Sequence, residues 1–192
     1  VIELAAMGTN VFYSVVDGSN HAILKKTDGT PGGTSLVFDF NTVFASAPDV
    51  VFFKELNNVL YFIVYDAGGT GYDHLWRSDG TTAGTYELMN FGASQYVASN
   101  LMLAGNNIYV MIVTPGTGNV LWKSDGTVAG TVAVKTIGTT GNNNYPQNAA
   151  IGNTLYFSGL DGNGMELWKT DGTSSGTAMV ADINTGTAGS SP

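Results

Sequence analysis

The sequence has no cysteine. That excludes a disulfide framework, a thiolate metal site and a thiol nucleophile. It is also poor in charge: 11% of its residues are Asp, Glu, Lys or Arg, where a soluble domain carries about 25%. The seven bases are scattered as Lys25, Lys26, Lys54, Arg77, Lys123, Lys135 and Lys169. A nucleic-acid binder clusters Lys and Arg to displace counterions. With a net charge of −8, neither nucleic acid nor an anionic membrane surface is an expected partner. Long apolar runs are missing too; none approaches the ~20 residues of a bilayer span, so no membrane insertion is expected. There is no initiator Met and no signal-peptide pattern, which leads us to expect a piece cut from a longer precursor.

What the chain does have is glycine, 26 in 192 residues, set among Thr, Asn and Ser. Between these polar stretches lie short runs of aromatic and β-branched residues, a turn-rich β composition. One phrase occurs four times: Asp28-Gly29-Thr30, Asp79-Gly80-Thr81, Asp125-Gly126-Thr127 and Asp171-Gly172-Thr173. Each is followed by a second Gly-Thr, at Gly33, Gly84, Gly130 and Gly176. The steps from Asp to Asp are 51, 46 and 46 residues. A repeat of this length is one supersecondary unit that cannot bury its own apolar face, so copies must pack on one another.

Aligned on the phrase, the rest falls into register. Leu24, Leu75, Leu121 and Leu167 stand four residues before each Asp. Trp76, Trp122 and Trp168 follow in the last three copies, with Lys25 in the first. The next position is always basic: Lys26, Arg77, Lys123, Lys169. Upstream come apolar runs at Val11–Tyr13, Leu60–Phe62, Ile108–Val110 and Leu155–Phe157, each closely preceded by an Asn. Shorter apolar stretches lie before that Asn, and another follows each Gly-Thr. Each unit therefore reads as four strands, over approximate units 1–47, 48–97, 98–145 and 146–192. No apolar pattern of helical period is sustained, so almost no helix is expected.

Adjacent Leu and Trp point to opposite faces of their strand. Both faces are then apolar, which suits packing between repeats. The basic residue shares the Leu face and is expected to lay its aliphatic stem over that packing. In the phrase itself, Asp accepts backbone N–H groups in an Asx-turn and Gly supplies a positive φ. Asp28, Gly29, Asp79, Gly80, Asp125, Gly126, Asp171 and Gly172 are thus read as structural turn residues. A calcium site needs about six to eight converging oxygens, and one Asp per repeat spreads the carboxylates apart. Repeated four-stranded units of this size, rich in aromatics, define the expected architecture. It is an all-β, β-propeller-like array of four four-stranded antiparallel blades, part of a larger propeller or repeat array.

Glu166-Leu167-Trp168-Lys169-Thr170-Asp171-Gly172-Thr173 with Gly176-Thr177 resembles the ELWxxDGT repeat of bacterial secreted proteins. The second and third copies match from Leu onward and the first lacks Trp. The resemblance spans essentially the whole chain. It implies a large extracellular or cell-surface protein with many tandem copies, of a kind common among Bacteroidota and often carrying a sorting domain, which this chain lacks. It supplies no catalytic residues.

The function expected on this reading is a non-enzymatic module for adhesion or recognition of a glycan or a surface protein. Variable loops carry such a role on a rigid scaffold; here they are Asp66–Asp73, Thr114–Asn119 and Asp161–Met165. Tyr65 and Tyr72 flank the first and are the candidates to stack on a sugar. The alternative is a self-assembling fibre subunit, since Ala45-Ser46-Ala47-Pro48 parallels Gly189-Ser190-Ser191-Pro192. Neighbouring repeats or identical subunits would then be the partners. A glycoside hydrolase needs two carboxylates at a set separation, and no pair is marked. A serine triad would use His21 or His74, without a Gly-x-Ser-x-Gly elbow. No catalytic residue, metal ligand or cofactor is expected.

Overall fold

A computed structural model describes residues 3–66, 72–92, 95–97, 100–114, 118–138, 147–187 and 189–190. It is all-β, with four antiparallel sheets following one another along the sequence. The first comprises β1 (Leu4–Met7), β2 (Asn10–Val16), β3 (Ala22–Thr27) and β4 (Ser35–Asp39). The second comprises β5 (Asp49–Leu56), β6 (Val59–Tyr65), β7 (Asp73–Ser78) and β8 (Tyr86–Asn90). The third holds β9 (Tyr96–Val97), β10 (Met102–Ala104), β11 (Asn107–Thr114), β12 (Gly118–Ser124) and β13 (Val132–Gly138). The fourth holds β14 (Asn148–Ile151), β15 (Thr154–Asp161), β16 (Gly164–Thr170) and β17 (Ala178–Ala181). Among the described residues the one helical element is a 3-10 turn at Phe40–Thr42.

Each sheet is a meander in sequence order. The third has a fifth strand, β9, which pairs with β11 through Val97 and Tyr96. Sequence reading had placed those two residues at the end of the second unit. The register slips at one equivalent point in all four sheets: between Leu24 and Lys25, Leu75 and Trp76, Leu121 and Trp122, and Leu167 and Trp168. A bulge there adds twist and bends the strand. It also turns Val37, Leu88 and Val134 into the core.

The chain divides into two compact units, Val1–Ala93 and Ser94–Pro192, each holding two sheets. In the first unit, Met7, Phe12, Leu24 and Val37 of one sheet meet Leu60, Phe62, Val64 and Trp76 of the other. Phe40 of the 3-10 turn and Phe44 just after it join them. In the second unit, Tyr109, Met111, Leu121 and Val134 meet Leu155, Phe157 and Trp168. Leu of one sheet and Trp of the following sheet therefore share each core, one from each side. This opposite-face arrangement follows from the strand period of two.

Tyr109 is fully buried, and its hydroxyl has no hydrogen-bond partner among the described residues. Burial pushes the phenol up, and the negative charge of Asp171 adds to it. The equivalent position in the first sheet is Phe12, also fully buried. An unpaired buried hydroxyl costs about 1–3 kcal/mol. Tyr109→Phe should therefore leave stability unchanged or raise it by about 1 kcal/mol. Urea denaturation measures this, and a loss of stability would show that the hydroxyl is satisfied.

Candidate functional site

The repeated phrase sits in the loop between the third and fourth strands of each sheet, and its bonding is closed on itself. In the second sheet, Asp79 Oδ1 accepts from Thr81 N at 2.9 Å and Thr81 Oγ1 at 2.7 Å. Thr81 Oγ1 accepts from Gly84 N at 3.0 Å. Gly80 N donates to Ser78 Oγ at 3.0 Å, and Ser78 Oγ lies 2.7 Å from Thr85 Oγ1. Thr85 Oγ1 donates to Thr81 O at 2.7 Å. The same circuit recurs around Asp28, Asp125 and Asp171. Gly29, Gly80, Gly126 and Gly172 have φ of 93°, 88°, 89° and 87°, the left-handed region that favours glycine. Each of the four carboxylates accepts the N–H and the hydroxyl of the Thr two residues on. The second glycine has a different reason. A Cβ at Gly33, Gly84, Gly130 or Gly176 would overlap the carboxylate of its own loop's Asp.

All four loop aspartates are held below the ordinary carboxylate range, first by the Thr hydroxyl and then by the Thr N–H. A depressed folded pKa adds stability that is complete above the ordinary aspartate value of about 4 and lost as pH falls through the lower folded value. The melting temperature should therefore fall as the solution is acidified below about pH 4. Thr81→Val removes the stronger bond at one loop and should flatten part of that fall. Identical pH curves for the two proteins would exclude the Thr–Asp bond as a cause.

Several titratable groups outside the loops are also engaged. His21 Nδ1 lies 3.3 Å from Asp39 Oδ2, and His74 Nδ1 lies 2.7 Å from Glu87 Oε2. His74 is buried against the edge of Phe44, with ring centroids 5.1 Å apart. Glu166 is fully buried. It accepts from Ser190 N at 2.8 Å, Ser190 Oγ at 2.6 Å and Ile183 N at 3.1 Å. The Ser190 hydroxyl is the main cause that holds its carboxyl below the ordinary range. Glu166 is thus a clamp on the segment that follows β17, a role its sequence context did not reveal. Among the described residues no group of three or more His, Cys, Asp or Glu could hold a metal ion.

A different constellation gathers at the β6–β7 end of the second sheet. Tyr65 ends β6, is 39% exposed, and stands in register with Asp49 on one side and Asp73 on the other. Tyr72 is partly buried, and its carbonyl accepts from Asp66 N at 3.2 Å. Residues 67–71 between them lie outside the described residues, as do 115–117 of the second variable loop. Residues directly opposite on adjacent strands send their side chains to one face, so Tyr65 and the exposed Asp49 flank each other. Asp49 also lines a cleft of about 280 Å³ between the first two sheets. Its other walls are Ser14, Val15, Val16, Ala22 and Pro48 with Val50. Ser14 Oγ is already used, donating to Val50 O at 3.0 Å. Tyr65 is not among these walls: Val50 and Val64 face the core shared with the first sheet, so Asp49 and Tyr65, one residue along each strand, project together from the other face of the second sheet. Sequence reading singled out Tyr65 but not Asp49, because strand pairing brings the two together from sixteen residues apart.

No family model matches the chain, and no curated protein matches it. Solved structures do share its fold. A puromycin hydrolase superposes with a TM-score of 0.59 at 13% identity, over 96% of this chain and 28% of the hydrolase. A prolyl endopeptidase gives 0.58 at 10% identity, over 93% of this chain and 26% of its own. A puromycin-hydrolyzing peptidase of Mycobacterium tuberculosis gives 0.56 at 12% identity, over 94% and 29%. The chain thus spans just over a quarter of the length of these structures, and at such identity the likeness is one of fold. It corrects one expectation: this repeat fold occurs within peptidases, so an array of this kind does not mark a protein as non-enzymatic.

Proposed function

We propose that the four sheets are consecutive blades of a β-propeller and that the chain serves in extracellular recognition, with a glycan as ligand of the exposed Asp49–Tyr65 pair. The carrying observation is that pair, side by side on one face of the second sheet. A carboxylate accepts sugar hydroxyls, and an aromatic face beside it takes the apolar side of a pyranose ring. Both project from strand ends, where a rigid scaffold holds them. The resemblance to secreted tandem-repeat proteins and the low, acidic charge favour a cell-surface or secreted setting. A glycan array identifies the ligand, and titration calorimetry with the best hit measures affinity. Tyr65→Ala and Asp49→Asn should each weaken binding about tenfold or more, or about 1.4 kcal/mol, without lowering the melting temperature. An array without hits, or hits whose affinity ignores both substitutions, would sink this reading.

A further inference from the structure

The charges around the Asp49–Tyr65 pair narrow the kind of sugar it takes. Tyr65 stands in register with Asp49 of β5 and with Asp73 of β7. Residues opposite one another on adjacent strands share a face, so Tyr65 stands between two carboxylate-bearing residues. Asp73 is buried. Asp49 is exposed and has no hydrogen bond or ion pair to a described residue. The same end of the first unit holds more acid. Asp66 directly follows β6, Asp39 ends β4 and Asp17 directly follows β2. The bond from Ser14 Oγ to Val50 O keeps that end of the first sheet beside the start of β5.

The four Lys and Arg residues of this unit, Lys25, Lys26, Lys54 and Arg77, belong to the other end. Lys26 Nζ donates to the carbonyl of Gly80, in the second Asp-Gly-Thr loop, at 2.8 Å. Lys25 precedes it on β3 and pairs with Leu36, near the start of β4. The Arg77 guanidinium lies over the ring of Tyr86, the first residue of β8, 5.4 Å from its centroid. Lys54 and Arg77 are both in register with Tyr61. From Tyr61 to Tyr65 the strand rises about 13 Å, beyond the roughly 8 Å Debye length of physiological salt. The two histidines of the unit each face a carboxylate already, His21 that of Asp39 and His74 that of Glu87. The charge of Asp49 therefore has no cation of its own unit beside it.

We propose that the ligand of Asp49 and Tyr65 is an amino sugar with a free ammonium group, in preference to a neutral or an acidic sugar. The inference rests on the glycan reading and names the class of glycan. Asp49 accepts an ammonium N–H in a charge-assisted hydrogen bond, stronger than one from a neutral hydroxyl. The face of Tyr65 takes the C–H side of the ring and attracts the adjacent cation. An acetylated amine brings no charge to either residue. A uronate sets like charge against Asp49 and Asp73.

Titration calorimetry with the glucosamine tetramer, its N-acetylated counterpart and a galacturonate tetramer tests this. It is run at about pH 6, below the ordinary value of an amino group, so that the amine is charged. The free-amine tetramer should bind about fivefold tighter than the acetylated one or better, the joint effect of an exposed ion pair and a cation–π contact. Galacturonate should not bind. Raising the salt should shrink the difference, because exposed charges are screened. Asp49→Asn should bring the two glucosamine tetramers to equal affinity, while Tyr65→Ala should weaken both. Equal affinities in the parent chain overturn the amino-sugar inference, as does a preference that survives Asp49→Asn. So does a free-amine tetramer that fails to bind. The glycan reading falls with it only if the glycan array returns no sugar whose binding needs Tyr65.

Discussion

Trp76→Ala should cost about 3–5 kcal/mol, the range for emptying a buried aromatic site. Small domains have only about 5–15 kcal/mol in total, so the first unit should lose much of its resistance to denaturant. The reason is the number of rings that rest on this one indole. Its centroid lies 5.5 Å from that of Phe38, 5.4 Å from Phe40 and 6.1 Å from Phe44. Phe40 and Phe44 come from the 3-10 turn and the residues just after it. The turn therefore loses its floor with the tryptophan. The indole N–H has no partner among the described residues, so the loss is packing alone. Lys25 occupies the same repeat position in the first sheet and is partly exposed. Lys25→Ala should stay within about 0.5 kcal/mol of the parent. Urea titrations of both variants check the contrast, and a Trp76→Ala cost below about 1 kcal/mol would remove Trp76 from the core.

That contrast shows how much of the fold could be read from the residues. The Leu-Trp-basic-Ser/Thr-Asp-Gly-Thr series is periodic, so strand count, order and the two-faced packing of the third strand follow from it. What escaped is whatever breaks periodicity. The extra strand at Tyr96–Val97 is too short to show a pattern of its own and exists because β11 is long enough to offer an edge. Phe52 has φ of 62° at the register slip in β5, a conformation that costs a bulky residue about 1–2 kcal/mol. The slip lets Phe53 reach Phe62, with centroids 5.5 Å apart. No local preference announces such a compromise, because tertiary packing sets it. The candidate Asp49–Tyr65 pair was half legible for a similar reason. Tyr65 stood out as an aromatic at a variable loop, while Asp49 lies on another strand and joins it only through register. The basic residues were read as aliphatic stems over the core. Lys26 instead points its charge at a carbonyl of the next repeat, a contact that no single repeat contains.

The second glycine of the phrase yields the sharpest test. In the second sheet it is Gly84. Its φ lies outside the left-handed region, so alanine fits the backbone, and the glycine is there for room: a Cβ would overlap the Asp79 carboxylate. The backbone cannot yield, since Gly84 N and Thr85 N are both tied into the loop. Asp79 must then swing out and abandon its bonds from Thr81 N and Thr81 Oγ1. Gly84→Ala should accordingly cost about 3 kcal/mol, the upper range for overpacking a tight site. If room for that carboxylate is the whole reason, the cost must vanish when the carboxylate does. In an Asp79→Ala background the same Gly84→Ala should be nearly neutral. The double-mutant cycle should show coupling of about 3 kcal/mol, read by urea denaturation of the four proteins. Additive effects would mean that Gly84 is required by the backbone and not by its neighbour's side chain. The same cycle at Gly130 with Asp125 should return a similar coupling, because the overlap there is the same.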